Sequence, residues 1–154
     1  NNTEIYYVTE NTSLEFDGID IDIIVPGDAI ELSDDGNDTS LIIRAEYNGI
    51  RCLYTGDITH YAEKCAIDYG NDLDADILKV SHHGAATSNR PEFIEAVSPL
   101  YAVISCGEDN PYGHPREETL DNLSGSEVFR TDINGTITFS VDDEGIEGIR
   151  LFRR

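Results

Sequence analysis

The sequence predicts an α/β domain in which an antiparallel hairpin precedes strands that alternate with helices. The hairpin is indicated by Asn48-Gly49 between two apolar runs, because both positions of a two-residue turn need a positive φ that this pair accepts. From Ile50 onwards, short apolar runs alternate with segments of helical periodicity. Such alternation is typical of a parallel sheet covered by helices. The 154 residues are expected to form one unit, long enough to bury a real core.

The first half of the chain is expected to be mostly strands. β-branched and aromatic residues predict strands at residues 4–8, 19–25, 41–47 and 50–55. A helix then begins at Thr59, which has the side chain of an N-cap residue, and ends before Gly70.

The second half continues the alternation. Strands are expected at residues 75–80 and 101–105. The second run is short and almost wholly apolar, as in a strand buried on both faces. Between them, Ser88 or Asn89 would cap a helix that has Pro91 in its first turn. Another helix follows Pro115. The final strands are expected to be joined by hairpin turns at Asn134-Gly135 and at a later acidic segment containing glycine.

The charge of the chain limits its partners. With 31 acidic and 10 basic residues, the net charge is −21, and such a surface repels the phosphate backbone of nucleic acids. Binding of duplex DNA by charge alone is therefore not expected, and phosphate chemistry would need bound cations. The 3 cysteines form no Cys-x-x-Cys motif and fit neither a disulfide framework nor a thiolate zinc site.

Three consecutive predicted strands end in residues that can bind metals. Asp57 follows the first, His82 and His83 follow the second, and Asn110 and His114 follow the third. Ligands of open α/β sheets gather at the carboxyl ends of the strands, so these side chains are expected at one edge. Each also has an ordinary structural explanation, as a turn aspartate or helix cap, or as a buried or surface imidazole.

The histidine pair is expected to divide two roles. Neighbouring residues of a strand point to opposite faces, so one imidazole would bind the metal and the other would orient it or contact the substrate. His82 is assigned as the ligand and His83 to the second role, although the sequence favours neither strongly.

Four segments in order resemble the metallo-β-lactamase-like domain of the ComEC family of DNA-uptake competence proteins. They are "NDTSLIIRAEYNGIRCLYTGDI", "DADILKVSHHGAATS", "PLYAVISCGEDNPYGHP" and "FRTDINGTITF", and the resemblance covers about residues 19–139. It implies part of an αββα sandwich and a hydrolase site with two divalent ions, zinc or manganese. Asp57 and His82 would be metal ligands. The other implied residues are His83, Asn110 and His114 in catalysis, and Asn37, Ser40, Thr87 and Ser88 in substrate binding.

The resemblance also implies that the chain is incomplete. The metal-binding cluster His-x-His-x-Asp-His of this superfamily is absent, and the chain has no methionine. We therefore expect residues 1–154 to be the carboxyl-terminal half of the domain, inactive alone, whose partner is the amino-terminal half. The face shared with that half could also support a homodimer. The complete protein is expected to be membrane-associated, in the cell envelope or outside the cell. Any membrane contact would come from parts of it other than these 154 residues.

Three functions are compatible with these residues. The first is a metal-dependent phosphodiesterase that acts on DNA during uptake. The second is a metallohydrolase for another ester or phosphoester, since a fold does not determine a substrate and the acidic surface is a poor platform for DNA. The third is a folded module without catalytic activity.

Overall fold

The computed structural model describes residues 5–153, which form a mixed α/β arrangement. The strands are β1 (Thr12–Phe16), β2 (Ile19–Ile24), β3 (Ile42–Tyr47), β4 (Ile50–Tyr54), β5 (Ile77–Lys79), β6 (Tyr101–Ile104), β7 (Glu127–Arg130), β8 (Thr136–Asp142) and β9 (Gly145–Phe152). The helices are α1 (Ala29–Leu32), α2 (His60–Asp68), α3 (Pro91–Val97), α4 (Glu117–Asn122) and α5 (Thr131–Asn134). Strands β1 to β7 form one sheet in sequence order, while β8 and β9 form a separate hairpin.

The seven-stranded sheet changes character at β4. Strands β1 to β4 are antiparallel neighbours, and β4 to β7 are parallel. The predicted β3–β4 hairpin is confirmed, with φ values of 50° at Asn48 and 76° at Gly49. Because β4, β5 and β6 are adjacent and parallel, their carboxyl ends lie at the same edge of the sheet. This edge carries the candidate site.

The core lies between one face of the sheet and the helices. Leu53 of β4, Leu78 of β5 and Ala102 of β6 are fully buried there together with Phe93 and Val97 of α3. Their burial removes apolar surface from water, which is the main favourable term in folding. None of the helices within residues 5–153 is both long enough and apolar enough to cross a bilayer.

The opposite face of the sheet is covered only in part. Phe139 of β8 packs against Tyr101 and Phe129, with ring centroids 5.5 and 6.0 Å apart. Among residues 5–153, no element packs in this way over strands β1 to β3. We call this uncovered region, with the adjoining end of β4, the open face. Its large exposed side chains are Leu14, Phe16, Ile43, Tyr47 and Tyr54.

Several sequence predictions need correction. Residues 5–8 are not a strand, because no neighbouring strand pairs with them, and Glu4 lies outside the described residues. Asn134-Gly135 is not a hairpin turn: Asn134 ends the short helix α5, and Gly135 leads the chain into β8 of the other sheet. The later acidic turn does join β8 to β9. Strand β1 was not predicted, although Asp17-Gly18, which links it to β2, is a strong turn signal.

The start of α3 also differs from the prediction. Neither Ser88 nor Asn89 caps this helix; Arg90 occupies the N-cap position, and its side chain makes no capping hydrogen bond. By contrast, Thr59 caps α2 as expected, because its hydroxyl accepts a hydrogen bond from the Tyr61 N–H. The side chains of Ser88 and Asn89 are turned towards the carboxyl ends of β4 and β5, where they stabilise the loops around the candidate site.

Candidate metal centre

The ends of β4 and β5 bring a carboxylate and an imidazole together. Nε2 of His83 lies 3.5 Å from Oδ1 of Asp57, and the two side chains are 48% and 43% exposed. The other ring nitrogen of His83, Nδ1, lies 2.7 Å from the carbonyl oxygen of Ser105, at the end of β6. A hydrogen bond to this carbonyl requires a proton on Nδ1, so in the neutral ring Nε2 carries the lone pair and faces Asp57.

His82 and His83 lie beyond strand β5, in a left-handed turn. Their φ angles are 48° and 56°, and Gly84 continues the turn with a φ of 81°. The premise that the pair alternates across a strand is therefore wrong. The ring of His82 lies 6.4 Å from that of His83 and 6.0 Å from that of His114, between centroids. The three imidazoles thus share one edge of the sheet with Asp57.

His114 is held by the loop that follows β6. Its backbone N–H donates to Oδ1 of Asn110 at 2.9 Å, and the Asn110 amide donates back to the His114 carbonyl at 2.8 Å. Tyr112 stacks on the His114 ring, with centroids 5.8 Å apart. Burial lowers the pKa of His114, and positive charge at His82 and Arg116 lowers it further. The Asn110 side chain therefore braces the loop, and the His114 imidazole favours its neutral form.

The residues proposed for substrate binding lie in different environments. The Ser40 hydroxyl accepts a hydrogen bond from the Asp57 N–H at 3.4 Å, so Ser40 adjoins the site. Asn37 is half-buried in the turn preceding Ser40, and Thr87 is exposed. Ser88 is 3% exposed and donates its hydroxyl hydrogen to the Ile58 carbonyl at 2.7 Å. The Ser88 hydroxyl is thus committed to a backbone contact.

The described part of the chain contains no complete set of metal ligands. No group of three or more His, Cys, Asp or Glu side chains within residues 5–153 could hold a metal ion. Nδ1 of His82 and Nδ1 of His114 are both buried without a hydrogen-bond partner there, and so is Nδ1 of His60, which lies outside the strand-end cluster. An unpaired ring nitrogen therefore does not by itself distinguish the candidate site.

Two buried residues behind the turn formed by His82, His83 and Gly84, called the histidine turn below, were not predicted to support the site. Asn89 and Glu63 are 0% and 1% exposed, and both hydrogen-bond to the backbone of the loops that carry the site. In the sequence, Asn89 has the pattern of a helix cap, and Glu63 follows Ala62 in α2 without any motif. The one available signal was the position of Glu63 beside the apolar face of α2, where an acidic residue is unusual.

Comparison with known proteins indicates relatives among competence proteins. The chain is 34% identical to competence protein ComA of Neisseria gonorrhoeae over 140 aligned residues. The aligned segment covers 89% of this chain and 20% of ComA. The chain is also 32% identical over 139 residues to ComE operon protein 3 of Bacillus subtilis, and this segment covers 80% of this chain and 18% of that protein. The similarity indicates a competence-related family. Recombination protein 2 of Haemophilus influenzae is 24% identical over 143 residues.

The similarity covers only part of each relative. The chain spans only about a fifth of the length of the ComA and ComE relatives, with 20% and 18% covered. No family model matches the sequence. The relationship to competence proteins that the motifs predicted is thus confirmed, while the αββα sandwich, the metal ions and the roles of the site residues stay predictions.

Proposed function

We propose that this chain is the carboxyl-terminal part of a metal-dependent hydrolase domain of the metallo-β-lactamase type, which cleaves phosphodiester bonds of DNA during competence-related uptake. The observation that carries the proposal is the Asp57–His83 pair at the ends of two adjacent parallel strands. The printed names of the relatives support the biological context.

The geometry of the pair supports a shared cation. Two ligands that bind a tetrahedral zinc ion at about 2.0–2.1 Å lie about 3.3 Å apart, and the observed separation of Nε2 and Oδ1 is 3.5 Å. Metal-binding histidines commonly donate their second N–H to a backbone carbonyl, which is what His83 does with Ser105. We therefore propose Asp57 and His83 as ligands. This exchanges the roles that the sequence suggested for His82 and His83.

The remaining ligands would come from the amino-terminal half of the same domain. A dinuclear zinc or manganese site needs more than the two ligands named above. The open face supports the same arrangement, because exposed aromatic and aliphatic side chains on a sheet indicate a surface that another segment covers. Further strands beside β8 and β9 would extend the second sheet over this face and complete a sandwich.

The other residues at this edge would act on the substrate. When bound, the metal ions supply Lewis-acid polarisation of the phosphoryl group. The rings of His82 and His114 lie 6.0 Å apart at this edge, so both could contact the substrate. Asn110 holds the loop of His114.

Hydrolysis of DNA by a chain extended upstream tests this proposal. With Mn²⁺ or Zn²⁺ added, we expect the extended protein to cleave single-stranded or duplex DNA, and chelation to abolish cleavage. Loss of even an outer residue of a metal site costs about 10–100-fold. Asp57→Asn and His83→Ala should therefore each lower kcat/KM by at least about 100-fold.

Matched controls separate the site from general effects. Asp34→Asn makes the same carboxylate-to-amide change at an exposed turn, and His60→Ala removes an imidazole outside the strand-end cluster. Both should stay within about threefold of the parent activity. Full activity of Asp57→Asn would contradict the role of the carboxylate. An extended protein that hydrolyses nothing in a panel of phosphodiesters, phosphomonoesters and carboxyl esters would contradict the hydrolase itself.

The acidic surface favours a second substrate class. The net charge of −21 works against DNA binding, so a small ester or phosphoester is the alternative substrate of the same site. The substrate panel distinguishes the two, because a DNA-directed enzyme would favour the phosphodiesters. Calorimetric titration of the chain extended upstream with Zn²⁺ tests the third function, since a module without a metal role would bind no ion at the Asp57–His83 pair even when the upstream half is present.

A further inference from the structure

The histidine turn has a backbone conformation that needs support. His82, His83 and Gly84 all have positive φ values, of 48°, 56° and 81°. Residues with a Cβ atom seldom adopt this left-handed conformation, and two in succession persist only where the surrounding structure fixes them. The residue before the turn, Ser81, is fully buried. The contacts of Ser81 therefore determine where the turn begins.

One side chain binds both backbone groups of Ser81. Oδ1 of Asn89 accepts the Ser81 N–H at 2.9 Å, and Nδ2 of Asn89 donates to the Ser81 carbonyl at 3.0 Å. The Asn89 amide thus pairs with Ser81 as a neighbouring strand would, at a point where strand β5 has ended. The Ser81 hydroxyl donates to the Thr55 hydroxyl at 2.9 Å. This bond links the turn to the end of β4, two residues before Asp57.

Asn89 is itself fixed from two helices. The buried Glu63 of α2 accepts the Asn89 N–H at 2.5 Å and the Arg90 N–H at 3.2 Å, one with each carboxylate oxygen. Asn122 of α4 donates to the Asn89 carbonyl at 2.9 Å. Asn89 has a φ of 66°, which asparagine tolerates better than most residues. Its backbone and side chain are therefore fully engaged, yet it contacts neither Asp57 nor the histidine rings.

We infer that Asn89, anchored by Glu63 and Asn122, is the positioning residue that sets the His82–His83 turn against Asp57. This inference rests on the proposed function only for its consequence, namely metal affinity. The geometry of the turn belongs to the chain without metal. Removal of the Asn89 side chain should therefore release the turn first and weaken metal binding as a result.

Asn89→Gly tests the inference because glycine accepts the same positive φ and removes only the amide. Asn48→Gly is a matched control, an asparagine at a φ of 50° in the β3–β4 turn. A positive φ shortens the distance between the amide and α hydrogens, so His82 and His83 should give strong intraresidue NOEs in the metal-free 154-residue chain. In Asn89→Gly we expect these NOEs to weaken and exchange of the Ser81 amide to accelerate at least tenfold. Asn48→Gly should change neither.

Metal affinity provides the second measurement. In the chain extended upstream, Asn89→Gly should raise the Kd for Zn²⁺ by about 10–100-fold, as is usual for residues that orient ligands. If the NOEs and the Ser81 exchange rate stay unchanged in Asn89→Gly, the inference is overturned whatever the affinity. If they change but neither protein binds Zn²⁺, the positioning role stands and the proposed metal function fails.

A milder variant covers the case in which Asn89→Gly does not fold. Asn122→Ala removes one anchor of Asn89 from a half-buried position and leaves the Asn89–Ser81 hydrogen bonds in place. We expect a smaller change in the same direction, about threefold in the exchange rate of the Ser81 amide. An Asn122→Ala protein with the parent exchange rate and the parent NOEs would count against the inference.

Discussion

Glu63 is an acidic side chain inside the core, and its environment determines how it titrates. It is 1% exposed, and its carboxylate oxygens accept backbone hydrogen bonds from Asn89 and Arg90. Burial raises its pKa to about 7, the two backbone hydrogen bonds and the Arg90 charge oppose this shift, and Asp38 adds to it. His60 lies close by, with Nδ1 3.9 Å from a Glu63 oxygen. The carboxyl group therefore changes its charge near neutral pH.

The titration of Glu63 predicts a pH-dependent stability. The pKa of this carboxyl group is near its ordinary value of 4.5 in the unfolded chain and about 7 in the native chain. Between these values the native state holds a proton that the unfolded state has lost, so the free energy of unfolding falls as pH rises. The expected loss is about 3 kcal/mol across this window. Urea unfolding at several pH values gives the free energies of unfolding of the parent and of Glu63→Gln. The difference between them is the contribution of the Glu63 carboxyl group.

The control for this measurement is Glu95→Gln, which removes an exposed carboxylate from α3. It corrects for the general effect of charge in a very acidic chain. If the difference between the parent and Glu63→Gln does not fall between pH 4.5 and 7, the buried carboxyl does not titrate in this range.

At the level of residues, the sequence predicted which side chains meet but not how they are held. Asp57 and the histidine pair follow apolar strands, and adjacent parallel strands end at one edge by geometry alone. Asn89 resembled a helix cap because the following helix is the only one of its neighbours that local sequence reveals. Its partner, Ser81, lies eight residues away, and Glu63 lies on another helix. A buried polar network depends on tertiary packing, which no local pattern encodes.

The loops after β5 and β6 are in direct contact, and this contact depends on a glycine. A Cβ atom at Gly84 would lie 2.6 Å from Cβ of Pro115. The Gly84 carbonyl also accepts the Arg116 N–H at 2.9 Å and the Thr119 hydroxyl at 3.1 Å. The loop that carries His114 is thereby packed on the turn that carries His83.

Substitution of Gly84 should separate steric contact from backbone strain. Gly84→Ala combines a φ of 81° with the clash against Pro115, whereas Gly70→Ala has a φ of 70° and open space around the new methyl group. The strain alone costs about 1 kcal/mol, and overpacking adds about 2 kcal/mol. We expect unfolding free energies lowered by about 1 kcal/mol in Gly70→Ala and about 3 kcal/mol in Gly84→Ala. Equal losses would mean that the Pro115 contact adjusts without cost.

Among the elements, those with strong local signals were predicted and those that depend on a distant partner were not. The β3–β4 hairpin, helix α2 and strands β5 and β6 have turn residues, caps or apolar runs of their own. Residues 5–8 have the composition of a strand but no neighbour to pair with. Asn134-Gly135 has a turn composition, yet β7 pairs in parallel with β6, and β8 belongs to the other sheet. Whether such segments form strands or hairpin turns depends on the strands available to pair with them.

At the level of the whole molecule, two properties support the proposal that the chain is part of a larger domain. Within residues 5–153, the proposed metal site has two ligands where a metal centre needs more, and the open face leaves one side of the sheet partly uncovered. One additional segment, packed beside the β8–β9 hairpin, would complete the sheet cover and the ligand set of the proposed site together.

Phe16 on the open face provides a test of this arrangement. Its side chain is 70% exposed, so Phe16→Ser should change the unfolding free energy of the 154-residue chain by less than about 0.5 kcal/mol. In the chain extended upstream, the same phenyl ring would be buried, and Phe16→Ser should cost about 2 kcal/mol. Leu100→Ser is the control, because Leu100 is 61% exposed and lies just before β6 rather than on the open face. Its effect should be small in both proteins. Equal effects of Phe16→Ser in the two proteins, measured by urea unfolding, would show that the upstream half does not cover this part of the sheet.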